Sequence, residues 1–188
     1  MSKRMVREDE LAKGGWLFTS TGVAYWHDGI KNLRQFIPIA QSDWVKEDTA
    51  GTSTLDFPYD GATSRITARI TPTAFGTHKI RKRILLPRDF GAWAPTSPIT
   101  VVTKRSAVDT SLLATLFHGG AADAGVNGVS VDPSVAATYQ TFTLTPTDVT
   151  YNPGDLVTFE IAYIAAANGR TIEACDLMLS YKTNRGNI

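Results

Sequence analysis

The chain has 188 residues, 43% hydrophobic and 20% charged, with 19 Lys+Arg against 18 Asp+Glu for a net charge of +1. That suits one domain, or one domain with an arm, able to bury roughly 70% of its unfolded surface without covalent staples. The near-neutral balance excludes a global field that would gather nucleic acid or a membrane surface, and the single cysteine, Cys175, excludes an internal disulfide or a zinc cluster built around it.

The N-terminal residues 1–14 are charged, with an acidic stretch where a secretory leader would carry an apolar core. The longest apolar run, Ile161 to Ala167, is too short to span a membrane, and no Asn-X-Ser/Thr sequon occurs. The expectation is a soluble protein made in a cytoplasm. Trp16-Leu17-Phe18 and Val23-Ala24-Tyr25-Trp26 flank the polar segment Thr19-Ser20-Thr21-Gly22, which predicts a β-hairpin. Residues 1–30 thus read as an N-terminal arm or hairpin, and residues 31–188 as the main domain.

From residue 31 the chain alternates at short intervals. Phe36-Ile37-Pro38-Ile39 leads to Asp43-Trp44, and then Ile66, Ala68 and Ile70 alternate with Arg65, Thr67 and Arg69, the period of a half-buried strand. Ile80, Ile84 and Leu86 alternate with Lys79, Arg81 and Arg83, although Lys82 interrupts the apolar side. Ile99 to Val102 is β-branched, Leu112 to Phe117 is apolar and ends at Gly119-Gly120, and Phe142 and Leu144 alternate with threonines. Asp60-Gly61-Ala62 and Ala121 to Gly128 read as surface loops. Val157, Phe159, Ile161 and Tyr163 form one face of a strand, with Thr158 and Glu160 on the other. Cys175, Leu177, Leu179 and Tyr181 form a face of the next, and Asn168-Gly169 between the two runs predicts a hairpin. About eight strands without a helical period predict an all-β antiparallel sandwich of jelly-roll type.

Catalytic and metal motifs are missing. The sequence has no G-x-S-x-G elbow, P-loop, G-x-G-x-x-G or H-E-x-x-H, which points away from an enzyme and from a cofactor. His27, His78 and His118 read as surface or strand-end residues, and Asp43, Asp56, Asp60, Asp109 and Asp123 as turn residues. Asp123, Asn127 and Asp132 surround a glycine loop without the spacing of a calcium loop. Period two places Lys79, Arg81 and Arg83 on one face, either a solvated outer face or a contact for an acidic partner. Trp44 and Trp93 read as core or rim, and Trp16 and Trp26 as interface residues.

The Phe-Ile-Pro segment, Asp-Trp, paired alternating strands, glycine loop, Asn152-Pro153-Gly154-Asp155-Leu156 turn and closing strand Thr171 to Tyr181 together resemble the jelly-roll cement (decoration) proteins of tailed-bacteriophage heads. The resemblance implies a homotrimeric virion structural protein on the capsid surface, bound to the major capsid protein at capsomer joints. It would have no cofactor, metal, nucleic acid or membrane. Trp16, Phe18, Tyr25 and Trp26 would then anchor the chain, and Lys79, Arg81 and Arg83 would meet acidic capsid loops. The alternative is a carbohydrate-binding module, or a tail-fibre or baseplate binding domain, using an aromatic platform for sugar.

Overall fold

The computed structural model describes residues 16–18, 24–26, 34–38, 44–48, 53–147, 150–165 and 169–183, the first three segments through their strand pairing alone. In chain order the strands are β1 (Trp16–Phe18), β2 (Ala24–Trp26), β3 (Arg34–Pro38), β4 (Val45–Asp48), β5 (Ser53–Asp56), β6 (Tyr59–Asp60), β7 (Arg65–Ile66) and β8 (Ala68–Pro72). They continue as β9 (Gly76–Leu85), β10 (Phe90–Trp93), β11 (Ile99–Arg105), β12 (Ser111–His118), β13 (Ala121–Ala122), β14 (Val129–Ser130), β15 (Gln140–Leu144), β16 (Leu156–Ala165) and β17 (Ile172–Thr183). Eight of them, β3, β8, β9, β11, β12, β15, β16 and β17, have five residues or more. These are the strands that periodicity can reveal; the shorter ones leave no periodic trace.

Two antiparallel sheets pack face to face. The first runs β1-β2-β3-β17-β11-β15, with β8 and β10 also on β17 and β5 on β8; the second runs β13-β12-β16-β9-β4, with β14 on β12. The chain shuttles between them: β11 lies in the first sheet, β12 in the second, β15 in the first, β16 in the second and β17 in the first. The predicted N-terminal hairpin forms, with Trp16 opposite Trp26 and Leu17 opposite Tyr25, and it extends the first sheet through β3. Beyond that pairing, Trp16, Phe18, Tyr25 and Trp26 lie outside the described residues, as does the rest of segment 1–30.

The core fills the space between the sheets. Ile80, Leu112, Leu116, Phe159, Ile161 and Tyr163 enter from the second sheet, and Ile70, Phe90, Ile99, Leu177, Leu179 and Tyr181 from the first. Each contributes about 1.5–3 kcal/mol when fully buried. The tyrosines remain satisfied because their hydroxyls reach the rim: Tyr163 donates to the Arg170 carbonyl at 3.3 Å and Tyr181 to Asp89 at 2.9 Å. Trp44 is buried edge-on to Phe159 at 6.1 Å, and Trp93 packs half-buried against the core.

Several local expectations need correction. β16 and β17 are not a hairpin: β16 pairs with β9 and β12, while β17 pairs with β3, β8, β10 and β11. Gly169 does take a left-handed φ of 74°, as an Asn-Gly turn would require, but the connection crosses from one sheet to the other. Both strands carry a strongly apolar face, and placing one strand in each sheet buries both faces in one core. Along 65–70 the alternation breaks at Thr67, which is buried, so that Ile66 is exposed while Ala68 and Ile70 face the core. Ala121 to Gly128 is not wholly a surface loop, because Asp123 and Val126 are buried. His78 is buried rather than superficial, with Nε2 donating to the Ala74 carbonyl at 3.2 Å.

The closing strand also changes phase. Asp176 sits at φ 50° in a β-bulge, because Val102 is opposite Cys175 whereas Thr100 is opposite Met178. Ile172 and Ala174 face the core before the bulge, and Leu177, Leu179 and Tyr181 face it afterwards. Cys175 is thereby buried off the core cluster, and burial pushes its thiol pKa up to about 12. Native protein at pH 8 is expected to resist alkylation by iodoacetamide while urea-unfolded protein reacts fully, since the thiolate is the nucleophile. Rapid native labelling, read by mass spectrometry, would place Cys175 at a mobile edge instead.

Candidate functional site

The outer faces of the two sheets differ. On the first sheet, the β6–β7 ribbon brings polar groups down as a cover: Arg65 pairs with Asp176 at 2.7 Å, and Lys104 pairs with Glu173 at 3.1 Å and lies 3.9 Å from Asp60. Tyr139 fills the centre of this cover. Lys104 Nζ stands 4.4 Å from its ring centroid and the Arg65 guanidinium 5.2 Å, and its hydroxyl donates to Glu173 at 2.7 Å. Burial, with the neighbouring Glu173 carboxylate, pushes the phenol far above its ordinary range. These groups satisfy one another.

The outer face of the second sheet carries no such ribbon among the described residues, and the strand registers set its pattern. One row across the strands reads Val45, Arg81, Glu160, Thr115; the next reads Glu47, Lys79, Ala162, Leu113. On the other side lie Arg83, Thr158, Phe117, and then the pair Leu85 and Leu156. The predicted basic side chains Lys79, Arg81 and Arg83 therefore stand together on one face, and Lys82 turns to the buried side, where desolvation lowers its pKa.

Glu160 organises the centre. Its side chain is only 4% exposed, and it receives Arg81 Nε at 2.6 Å and Lys79 Nζ at 3.1 Å. Arg81 also pairs with Glu47 through Nη1, and its guanidinium carbon lies 5.8 Å from the Phe117 ring centroid. The result is a fixed chain, Glu47–Arg81–Glu160–Lys79. Arg83 differs: it is exposed, and no ion pair joins it among the described residues.

Two shallow depressions flank the ridge made by Arg81, Arg83 and Thr158. The first, about 470 Å³, adds Val45 and Glu47; the second, about 500 Å³, adds Phe117, Gly119, Gly120 and Leu156. Together they cross β4, β9, β16 and β12. Three inter-strand spacings give a groove about 14 Å long. Its far wall is braced from behind, because His118 Nε2 lies 2.8 Å from Asp155 Oδ2 and its ring packs on Tyr151 at 4.8 Å. The Asn152 backbone N–H and then His118 hold the Asp155 carboxyl below its usual range.

Other candidate chemistry disperses. Asp123 is a buried acceptor for Gly125 N at 2.8 Å, Thr147 N at 3.0 Å and the Tyr151 hydroxyl at 2.6 Å, while Asp132 faces Ser130 and Arg105. Among the described residues no group of three His, Cys, Asp or Glu is placed to hold a metal ion. Glu47 and Glu160 are both committed to one guanidinium, whereas glycoside hydrolysis needs two carboxyls flanking one bond.

Sequence reading missed Glu47, Phe117, Thr158 and Glu160 as members of this face. The signal available was Glu160 itself, an acid inside the apolar run Val157 to Tyr163, on the side a basic strand would need.

No protein-family model matches the chain, and no curated protein matches it. Among solved structures, TmCBM61 in complex with beta-1,4-galactotriose is similar over 76% of this chain and 90% of that one, at 9% identity and a TM-score of 0.48. The family 11 carbohydrate-binding module from Clostridium thermocellum, in complex with a beta-1,3-1,4-mixed-linked tetrasaccharide, is similar over 77% of this chain and 94% of that one, at 11% identity and a TM-score of 0.44. The enzymatically active domain of Bacteriophage CBA120 tailspike protein 4 is similar over 76% of this chain but only 20% of that one, at 13% identity and a TM-score of 0.43. Likeness at this level leaves the ligand to the site's own chemistry.

Proposed function

We propose that the chain is a non-catalytic binding domain that recognises a polysaccharide along the groove on the outer face of the second sheet. The observation that carries the reading is the fixed chain Glu47–Arg81–Glu160–Lys79 beside Phe117, laid across an open groove on a rigid sheet. Sugar hydroxyls are both donors and acceptors, and they are held best by planar side chains whose own geometry is already fixed. A guanidinium and a carboxylate locked together present donors and acceptors side by side without a further ordering cost. Phe117, Leu156 and Val45 supply apolar surface for the C–H faces of the rings. An open groove fits a long chain lying across the sheet, whereas a small molecule would need enclosure.

Cementing a capsid is less well supported by this face. A joint-bridging contact draws on a broad apolar centre, and here the centre is a charge network with apolar residues at its ends. Within the binding reading, the particle-surface setting expected from the resemblance becomes a fibre or baseplate position, where a glycan-binding domain meets a host envelope.

Arg81→Ala is expected to weaken retention on the bound polysaccharide about 10- to 100-fold, the worth of one or two charge-assisted hydrogen bonds at about 1.5–3 kcal/mol. Phe117→Ala should cost about tenfold through the lost ring contact. Affinity electrophoresis beside a thermal melt separates loss of binding from loss of fold. Wild-type retention by both well-folded variants would remove this face from the function.

A further inference from the structure

Arg83 gives the groove a charge preference. We infer that the polysaccharide is acidic, a chain carrying ring carboxylates of the uronic-acid class, and that Arg83 receives a carboxylate between the two depressions. This inference rests on the polysaccharide reading of the same groove and narrows it to one ligand class.

Lys79, Arg81 and Arg83 give the face three positive charges, against Glu47 and Glu160. Arg81 and Lys79 are neutralised where they stand, so among the described residues of this face the residual +1 sits on Arg83. An arginine with no acidic partner among the described residues, beside an arginine and a lysine that have theirs, leaves a site complementary to an anion.

Arg83 lines both depressions, so a ligand lying along the groove passes over it wherever it is centred. Thr158 stands directly opposite Arg83 on β16 and Phe117 directly beyond it on β12, which offers a hydroxyl and a ring to the same sugar unit. Leu85 and Leu156, 66% and 50% exposed, form an opposed pair on the next row. When a ligand covers that pair, water leaves one side of Arg83 and its attraction for a carboxylate strengthens. The guanidinium fork matches a carboxylate in a bidentate manner, which the point charge of a lysine does not. Gly119 and Gly120 leave the far end of the second depression without side chains, giving clearance for a ring substituent.

The experiment uses the full chain and a panel in which each uronic-acid polysaccharide is paired with its methyl-esterified form, which has the same backbone with the charge removed. Neutral glucans and galactans and a non-sugar polyanion, polyglutamate, complete the panel. The expected result is at least tenfold tighter retention of acidic members than of their esters, falling as salt rises. Arg83→Gln should abolish that difference while keeping residual binding to the esters, and Arg83→Lys should keep part of it. Equal retention of acid and ester forms, or retention of neutral chains alone, overturns the acidic preference and leaves the polysaccharide reading standing. Retention of nothing on the panel overturns both. Polyglutamate held as tightly as the uronates overturns the inference in favour of a general anion-binding surface.

Discussion

Arg105→Ala is expected to lower the unfolding free energy by about 2–4 kcal/mol, since it takes the donor from two buried hydrogen bonds at about 1–3 kcal/mol each. Arg105 closes β11 and is 8% exposed. Its Nε donates to the Pro133 carbonyl at 2.8 Å, its Nη1 donates to the Thr110 carbonyl, and Nη1 lies 3.6 Å from Asp132 Oδ1. Thr110 belongs to the passage from β11 to β12, and Asp132 and Pro133 to the return from β14 toward β15. One guanidinium therefore ties both crossings between the sheets. Alanine would leave the buried contacts to the Pro133 and Thr110 carbonyls without their donor and remove the cation facing Asp132. Asp132 keeps two other donors, Leu112 N and the Ser130 hydroxyl, so most of the loss falls on the two carbonyls. Arg105→Lys keeps the charge but can satisfy fewer acceptors, so about half the loss should remain. Urea unfolding of both variants measures this. A loss below about 1 kcal/mol for Arg105→Ala, the scale of one ordinary hydrogen bond, would mean that backbone pairing alone holds the crossings.

That clamp also marks the boundary of what sequence could show. Alternation in Val157 to Tyr163 and in Lys79 to Ile84 is a local property, fixed by the pleat of a single strand, and those inward and outward faces were legible. The bulge at Asp176 was not. A residue tolerant of positive φ sits inside an otherwise unbroken apolar run, and the phase change appears only when β11 is laid beside β17. The same limit explains the mistaken hairpin. Asn168-Gly169 encodes a sharp reversal, but whether the chain returns to the same sheet depends on which partners β9 and β12 already offer to β16.

The candidate site divides along the same line. Lys79, Arg81 and Arg83 could be placed on one face from period two alone. The hydrogen bond that defines the site, from Arg81 to Glu160, joins residues 79 positions apart. Glu47 and Phe117 arrive from two further strands. A basic strand alone reads equally well as a solvated surface. With Glu160 nearly buried beneath it, two of its three cations become fixed scaffolding and the third stands apart. In the proposed binding role, selectivity in this groove would arise from what the sheet register has already neutralised.

The wall of the second depression yields the other large effect. Asp123→Ala is expected to cost about 2–4 kcal/mol, since it removes a buried charged acceptor whose hydrogen bonds are worth about 1.5–3 kcal/mol, with part-buried donors that water can partly satisfy. Gly125 N, Thr147 N and the Tyr151 hydroxyl all donate to it. Gly125→Ala attacks the same knot by steric means. A Cβ there would lie 2.3 Å from the Thr145 carbonyl oxygen and 2.6 Å from Thr147 Cγ2, so the loop must move, at about 1–3 kcal/mol. Combined, the two changes should cost less than their sum, because the second acts on a loop the first has already released. The consequence for binding follows through Tyr151. Its ring supports His118, and His118 and Asp155 stand next to Gly119 and Leu156, which line the depression. Asp123→Asn keeps one acceptor oxygen and should remain folded in the cold, yet lose polysaccharide retention several-fold as that wall loosens. A folded Asp123→Asn protein that binds like wild type would show that β12–β13 pairing, and not the buried carboxylate, fixes the end of the groove.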